Sequence, residues 1–402
     1  MKNTIISSKQ NQELFEIQNQ KKVLKLVSEN GHITIKDLSK KLDLSVTTII
    51  TIIDSLMSHG LVKENGFVPT KRGRKPVIYS INENYKYIVA VDLGQTSIYL
   101  GISNLLGDFI YITNENVAPE EDYGSFSHYL SHKITEILTD NNINVNELAA
   151  IVVGNIGVVD DNTGRISYAA GNAVWESQPI KLFLEEKFPC SVIVKNDINL
   201  STIGEHKKGA AQGESNFAFF RFDIGVKAGI ILNNKLYEGS NGAAGEIGFS
   251  IVSFDANASL PENRIESRIT LNNLYGDVWN KIINNGDSPL LYYCESTEQK
   301  LNAKILGEYY LLDNIANKAL TEFIIRLGNL IINFTAVMNL SLIILGGEIV
   351  DLGNVFLEDL QKYINRNCFF TPRIRYSSID KYSGLIGAAS IGIEEFLKSV
   401  SG

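Results

Sequence analysis

The residues of this sequence that most directly suggest chemistry are the cations of a short run near the N-terminus. The run holds two lysines and two arginines around a glycine and ends in a proline: Lys71, Arg72, Gly73, Arg74, Lys75 and Pro76. An Arg-Gly-Arg stretch before a proline is extended and slim, so it can lie in a narrow minor groove of DNA, where the potential favours guanidinium groups. The alternative is a solvated basic loop or linker. The elements that precede the run favour DNA contact.

Two short predicted helices joined by a tight turn precede this basic run. Residues 34–37 resemble a capping box, which marks the start of the first helix, and Ser45 can cap the second. In the second helix, Ile49, Ile53 and Leu56 recur at helical spacing and should point inward. This arrangement is typical of a helix-turn-helix, a fold that also occurs in protein-interaction modules.

Hydroxyl side chains on the outward face of the second helix can meet base edges or phosphates. They are Ser45, Thr47, Thr48 and Thr51. The helix carries no arginine, so we expect modest reading of bases and assign the electrostatic attraction to the basic run. Predicted strands at 61–65 and 77–81 flank that run and make it the wing of a winged helix. The predicted DNA contacts are these four residues together with Lys71, Arg72, Gly73, Arg74 and Lys75.

The charge of the chain is unevenly distributed. The net formal charge is −8, yet residues 1–86 hold 14 lysines and arginines against 8 aspartates and glutamates. The remainder of the chain is therefore strongly acidic. This asymmetry predicts a basic module joined to an acidic one, and it counts against a helix-turn-helix that binds only protein.

Export and membrane insertion are not indicated. Residues 1–20 are polar and lack the apolar core of a signal peptide, and the longest apolar stretch, 330–345, is interrupted by two asparagines. Cys190, Cys294 and Cys368 stand singly, so neither a disulfide framework nor a cysteine zinc site is expected. We expect a cytoplasmic protein without a membrane span, in which residues 330–345 form a buried helix followed by a strand.

From residue 87 onward the pattern changes to strands and helices. Predicted strands at 87–92, 97–102 and 109–113 are followed by a helix at 126–139 and a strand at 149–153, which indicates an α/β fold. Glycine-rich turns follow strands at three places. Each turn alone is weak evidence for a binding site, because glycine turns are common at strand ends.

Taken together and in order, these features resemble the ROK family of repressors, open reading frames and sugar kinases. The resemblance rests on the glycine turns at 92–96, 223–229 and 345–348, on the stretches 239–248 and 196–199, and on the glycine-arginine-proline pattern of the wing. It covers almost the whole chain. It implies an α/β protein in which an N-terminal winged helix-turn-helix is followed by a two-lobed actin/hexokinase-like domain with a sugar in its cleft.

The domain organisation implied by the resemblance is a winged helix-turn-helix in residues 1–82 and a sugar-sensing ROK domain in residues 83–402. Lobe one of the second domain would comprise residues 83–200 and a C-terminal helix at 384–400. Lobe two would comprise residues 201–383.

The resemblance also implies roles for individual residues. Asn196, Asp197, Glu246 and Glu266 match family residues that hydrogen-bond sugar hydroxyls, and a carboxylate can accept two hydroxyl hydrogens. In the kinases of the family the residue matching Asp197 is the general base. The alternative is that Asp197 caps a helix and Glu246 is a solvated loop residue. The matched context favours sugar binding.

The sequence departs from the family where most members bind zinc. Phe249 stands where the usual member has a histidine, and residues 254–262 contain no cysteine, so the zinc cluster is absent and no metal is expected. Phe249 either stacks on an apolar face of the effector or fills the vacated volume, and the second role is slightly favoured.

The nucleotide side also departs from the kinase pattern. Asp92, Gly94 and Thr96 keep the first phosphate motif, but the second reads Asp223-Ile224-Gly225 where kinases carry Gly-Thr-Gly. A carboxylate there, and Glu348 nearby, repel a polyphosphate. We therefore expect no bound ATP, no catalytic residue and little or no kinase activity.

These features together predict a sugar-responsive DNA-binding regulator, a repressor of carbohydrate-utilisation genes. Its expected partners are operator DNA, a sugar or glycoside effector and a second copy of the chain in a homodimer or higher homo-oligomer. The main alternative is an ATP-dependent sugar kinase, with or without DNA binding. A weaker alternative is a regulator that senses a phosphorylated metabolite, which the acidic lining disfavours.

Overall fold

The computed structural model describes residues 17–69, 75–94, 97–116, 126–160, 164, 166–168, 180–223, 225–251, 263–285 and 288–400. Predicted residues that lie outside this part of the chain belong to the wing and to the phosphate motifs: Lys71, Arg72, Gly73, Arg74, Thr96 and Ile224. The described residues divide into two compact units. Unit one lies within Met1–Asn155, Asp161–Lys195 and Ala388–Gly402, and unit two within Ile156–Asp160 and Asn196–Gly387.

The described helices, in chain order, are α1 (17–30), α2 (Ile35–Leu42), α3 (Val46–Ser58), α4 (Phe126–Asp140), α5 (Ile180–Lys187), α6 (Asp197–Lys208), α7 (Glu266–Ile269), α8 (Leu271–Asn285), α9 (Pro289–Thr297), α10 (Ala303–Glu308), α11 (Asn314–Met338), α12 (Gly353–Asn367) and α13 (Ser383–Ser399). The described strands are β1 (Ile33–Thr34), β2 (Val62–Phe67), β3 (Val77–Ile81), β4 (Tyr87–Leu93), β5 (Ser97–Ser103), β6 (Phe109–Asn116), β7 (Leu148–Asn155), β8 (Val158–Val159), β9 (Ile166–Tyr168), β10 (Ser191–Asn196), β11 (Phe217–Phe222), β12 (Val226–Leu232), β13 (Lys235–Leu236), β14 (Leu342–Gly347) and β15 (Arg373–Tyr376).

The helix-turn-helix in unit one forms through the caps that its sequence predicts. Thr34 caps α2 by accepting a hydrogen bond from the backbone N–H of Asp37 at 3.2 Å, and the Asp37 carboxylate accepts from Thr34 in return. Ser45 caps α3 by accepting from the backbone N–H of Thr48 at 3.0 Å. Asp43, with a φ of 53°, ends α2 in the left-handed conformation and makes the tight turn. β1, β3 and β2 complete the winged helix as an antiparallel sheet in that order.

The core of the winged helix continues into the rest of unit one. Leu105 and Phe396, the latter near the end of α13, belong to the same buried cluster as the inward residues of α3. The ring of Phe396 lies 6.2 Å from the ring of Tyr85, and Lys63 Nζ donates a hydrogen bond to Glu83 Oε1 at 2.6 Å. The winged helix therefore packs against its neighbours in unit one.

A second sheet in unit one has the order β10-β7-β4-β5-β6. β4 pairs in parallel with β7 and antiparallel with β5, and β5 pairs antiparallel with β6. β4 and β7 are buried along almost their whole length, as expected for central strands. Asp92 lies near the end of β4 and is buried.

The sheet of unit two has the order β13-β12-β11-β14-β15. β11 pairs antiparallel with β12 and in parallel with β14, so Arg221 of β11 lies opposite Lys227 of β12, and Phe222 lies opposite Gly347 at the end of β14. This register brings the second and third glycine turns to one edge of the sheet. It also places two cations side by side.

Helix α11 is long and apolar enough to cross a membrane by length and composition. Almost half of its apolar window is buried, and Phe323, Leu327 and Ile331 belong to the core cluster of unit two. The apolar pattern of residues 330–345 predicts a buried helix followed by a strand, and these elements are α11 and β14.

Helix α6 packs closely against the beginning of α13 within unit two. A side-chain carbon on Gly204 would lie 2.0 Å from Ser383 O, and one on Gly387 would lie 1.8 Å from Leu200 O. Both distances are shorter than atoms tolerate, so glycine is required at each position. The two helices are thereby held backbone to backbone.

Candidate functional site

The outward face of α3 carries the hydroxyl residues predicted to meet DNA. Thr47 and Thr51 are exposed, and the Thr51 hydroxyl donates to Thr47 O at 3.1 Å. The hydroxyls of Ser45 and Thr48 lie 2.7 Å apart, so this pair also serves the helix cap. Lys75, the one residue of the predicted wing contacts that the structure describes, is exposed.

Two apolar residues of α3 that sequence reasoning missed are also exposed. Val46 is 50% exposed and Ile50 is 40% exposed, beside Thr47 and Thr51 on the helix surface. Exposed aliphatic side chains on a helix that enters the major groove can contact thymine methyl groups. Their position four residues apart, outside the buried set, is a signal that could have identified them.

The residues predicted to bind a sugar lie in unit two, around the start of α6. Asn196 is the last residue of β10 and the cap of α6, and its Oδ1 accepts from the backbone of Ile198 and Asn199 at 3.1 and 3.3 Å. Its Nδ2 donates to Gly157 O at 2.5 Å. The structure thus gives Asn196 a positioning role that holds Asp197 at the first turn of α6. Its contact with an effector stays a prediction.

Asp197 forms an ion pair with Lys227, which sequence reasoning did not single out. Lys227 Nζ donates to Asp197 Oδ1 at 3.3 Å, and the two side chains are 20% and 15% exposed. Burial lowers the pKa of Lys227, but Asp197 and Glu246 together raise the pKa of this lysine above its ordinary value. Lys227 is therefore charged. A lone lysine in an otherwise apolar strand is the signal that could have found it.

Glu246 faces the same ion pair. The backbone N–H of Ala228 donates to Gly245 O at 2.8 Å, which ties the segment before Glu246 to β12. Gly245 has a φ of 89°, and a side-chain carbon there would lie 1.7 Å from Ala228 O, so this close approach requires glycine. Burial raises the pKa of Glu246, and Lys227 opposes that rise.

Glu266, at the start of α7, completes the cluster. Its Oε1 accepts from the backbone N–H of Val226 at 3.2 Å, and its carboxylate raises the pKa of Glu246. The structure therefore brings together Asp197, Glu246 and Glu266, which are far apart in sequence, and places Lys227 beside Asp197 and Glu246.

Phe249 lies close to this cluster in the chain but has a cation over its ring. The guanidinium carbon of Arg264 lies 4.3 Å from the centroid of the Phe249 ring. One face of the aromatic ring is thus covered by a cation of the same unit. This arrangement agrees with a role in filling space, while stacking on an effector stays a prediction.

The glycine turns at the edge of the unit-two sheet carry side-chain partners of their own. Asp223 Oδ2 accepts from Arg221 Nε at 2.6 Å, and Arg221 also donates to Ser201 Oγ at 3.0 Å. Asp380 Oδ1 accepts from the backbone N–H of Gly347 at 2.7 Å, and burial raises the pKa of Asp380. Backbone N–H groups of glycine turns are the groups that bind phosphates, and this one is already bonded to a carboxylate.

Comparison with known proteins identifies the family. A sequence model described as the ROK family matches residues 88–395, most of the chain. The chain belongs to the ROK family. A second model, described as winged helix-turn-helix DNA-binding, matches residues 18–63. This ROK chain therefore carries a DNA-binding module ahead of the family domain, as the sequence predicts.

Similar proteins include named regulators, some of which match nearly the full length of this ROK chain. The xylose repressor of Caldicellulosiruptor bescii is 26% identical over 385 residues, which cover 93% of this chain and 95% of the relative. The DNA-binding transcriptional dual regulator NagC of Escherichia coli is 27% identical over 238 residues, which cover 59% of this chain and 58% of NagC. The crystal structure of a ROK family transcriptional regulator, a homologue of the E. coli Mlc protein, matches with a TM-score of 0.81 at 18% identity, over 96% of this chain and 98% of that one. The predicted fold class is confirmed.

Proposed function

We propose that this ROK protein is a sugar-responsive transcriptional regulator that represses carbohydrate-utilisation genes. The observation that carries the proposal is the presence, in one chain, of a winged helix-turn-helix and a partly buried cluster of carboxylates suited to sugar hydroxyls. The relatives named as repressors match this chain through its N-terminal module as well as its ROK domain. The basic N-terminal region supplies the attraction to DNA phosphates.

The proposed effector is a neutral sugar or glycoside bound by Asp197, Glu246 and Glu266. A hydroxyl donates one hydrogen bond and accepts others, so partly buried carboxylates beside an ammonium offer it both kinds of partner. Since relatives that match more than 90% of this chain are named xylose repressors, D-xylose is the first candidate. D-glucose and N-acetyl-D-glucosamine are the comparison sugars.

We further propose that the protein lacks kinase activity and binds neither ATP nor zinc. Asp380 supports this proposal for ATP, because its carboxylate already accepts a hydrogen bond from the Gly347 N–H that a phosphate would need. The ion pair between Arg221 and Asp223 offsets part of the repulsion expected from the Asp223 carboxylate. Phosphoryl transfer depends on positioning the phosphates and stabilising their charge. A coupled ATP assay over the same sugars tests it, and turnover that disappears in Asp197→Asn would establish the kinase alternative.

A homodimer in the cytoplasm is the proposed working form. Operators are commonly two-fold symmetric, so a dimer presents two winged helices to two half-sites. Light scattering of the purified chain measures the assembly, and a monomer at micromolar concentration would contradict this part of the proposal.

The deciding experiment is a gel-shift titration with the promoter region of the protein's own gene. We expect binding at low salt that exceeds binding to random DNA of equal length, and a change in affinity on addition of one sugar of the panel. Equal affinity for both DNAs would refute the regulator. Specific binding that no sugar changes would refute the sugar response alone.

A further inference from the structure

Lys227 is the cation that lies beside Asp197 and Glu246, and the proposed function assigns it no specific contact with the effector. It lies on β12, opposite Arg221 of β11, and its ammonium pairs with Asp197 across 30 positions of the sequence. Both side chains are largely buried, at 20% and 15% exposed. Removing a lysine from water is costly, so a lysine in this position requires compensating partners.

The compensating partners of Lys227 are the residues that would hold the sugar. Asp197 and Glu246 both raise the pKa of this lysine, and Arg221 opposes them. The ammonium therefore keeps its charge and its three N–H donors. One of these donors points to Asp197 Oδ1. An ammonium has two further N–H groups that can donate to another oxygen.

Among the residues that the structure describes, the polar side chains of this cluster offer few donors. Ionised carboxylates only accept hydrogen bonds, and one oxygen of Glu266 already accepts from Val226. The amide of Asn196 donates to Gly157 and accepts from the start of α6. A sugar that donates its hydroxyl hydrogens to Asp197 and Glu246 also needs a donor for its hydroxyl oxygens.

We propose that Lys227 is a specificity-determining residue of the effector site and donates a hydrogen bond to an oxygen of a neutral sugar whose hydroxyls donate to Asp197 and Glu246. The inference rests on the proposed sugar response. Two carboxyl groups, Asp197 and Glu246, lie near one ammonium, and Glu266 lies near Glu246, so the site favours an uncharged polyol and disfavours a sugar that carries a carboxylate or phosphate.

The test is isothermal titration calorimetry on the full-length protein and its Lys227→Met variant. The ligand is whichever of D-xylose, D-glucose and N-acetyl-D-glucosamine binds the wild type most tightly. Methionine keeps the apolar stem and removes the donors, so we expect at least about tenfold weaker binding. Lys235→Met, a change at an exposed lysine of the same sheet, is the matched control and should bind as the wild type does.

Lys227→Met leaves Asp197 without its ammonium and can destabilise the fold, so two further variants keep the test decisive. Lys227→Gln retains a donor without charge, and the pair Lys227→Met with Asp197→Asn removes both charges. A cooperative urea transition reports that each variant is folded, because DNA binding would report only on the winged helix. We expect the glutamine variant to bind the sugar more tightly than the methionine variant does. Equal sugar affinity in the wild type and a folded methionine or double variant would overturn the proposal.

A charged analogue tests the preference for neutral sugars. D-glucuronate adds a carboxylate to the ring of D-glucose, and we expect it to bind the wild type less tightly than D-glucose does. Tighter binding of D-glucuronate would overturn the assigned effector class. If none of the three neutral sugars binds the wild type, the proposed sugar response fails, and the role of Lys227 fails with it. If the wild type binds a sugar and a Lys227 variant binds it equally well, only the role of Lys227 fails.

Discussion

Gly387→Ala tests whether the close packing of α6 on α13 supports the effector site. In a helix interior, exchanging glycine for alanine stabilises by about 1 kcal/mol when space is available. At Gly387 the new carbon would lie 1.8 Å from Leu200 O, a backbone atom that no rotamer change can move. Relief requires one helix to shift by more than about 1 Å, and overpacking of this kind costs about 1–3 kcal/mol or more. We expect a net loss of about 2 kcal/mol.

Gly276→Ala is the matched control, because Gly276 lies in α8 and a side-chain carbon there meets nothing within 4 Å. The same chemical change should therefore stabilise by about 0.5–1 kcal/mol. Urea unfolding of both variants measures the difference through the transition midpoints. A Gly387→Ala protein as stable as the wild type would refute the packing argument. Since α6 carries Asp197, we also expect Gly387→Ala to weaken the sugar response, whereas Gly276→Ala leaves it intact.

Four further predictions concern the DNA-binding module and a buried carboxyl. Replacing Arg72 and Arg74 together by alanine should weaken operator binding and flatten its salt dependence, measured by gel shift from 50 to 200 mM salt; an unchanged salt slope would exclude the wing as the electrostatic contact. Ile50→Ala should reduce the preference for operators with thymine in the contacted half-site while sparing affinity for random DNA, measured by competition with uracil-substituted duplexes. Phe396→Ala should destabilise the protein by about 3 kcal/mol, because Phe396 is only 9% exposed and belongs to the buried cluster that includes the winged helix. Calorimetry should show a lower melting temperature. Burial raises the pKa of Glu205, so this carboxyl holds its proton more tightly in the folded protein than in the unfolded chain. Its contribution to stability is therefore present below the ordinary glutamate pKa of about 4.3 and is lost as the pH rises through the raised pKa. The difference in unfolding free energy between the wild type and Glu205→Gln, measured against pH, should show this loss.

The winged helix was predictable because its determinants are local. The capping box of Thr34 with Asp37 and the cap at Ser45 involve residues three positions apart, and the apolar spacing in α3 spans a few turns. Such signals act within one element and are visible in the sequence without knowledge of its neighbours. The strand pattern of the ROK domain and the helix and strand around residues 330–345 were predictable for the same reason.

Residues of the candidate site were named from a resemblance, and their surroundings were not predictable. Asn196 was assigned to the effector, yet its amide is engaged with Gly157 and the start of α6. Phe249 was considered for stacking, yet Arg264 lies over its ring. The cap that Asn196 makes at the start of α6 is local, but its contact with Gly157 and the contact of Phe249 with Arg264 are set by how loops return to the sheet, which no local pattern encodes.

The sequence by itself determined which elements form, that a basic DNA-binding module precedes an acidic α/β domain, and that the zinc cysteines are missing. Only the tertiary structure decided that Lys227 meets Asp197 and that Asp380 bonds the N–H of Gly347, at separations of 30 and 33 residues. The physical reason is that the register between paired strands sets which side chains become neighbours. Side chains on different strands and helices become neighbours only once β11 has paired with β12 and β14, and those pairings depend on the core as a whole.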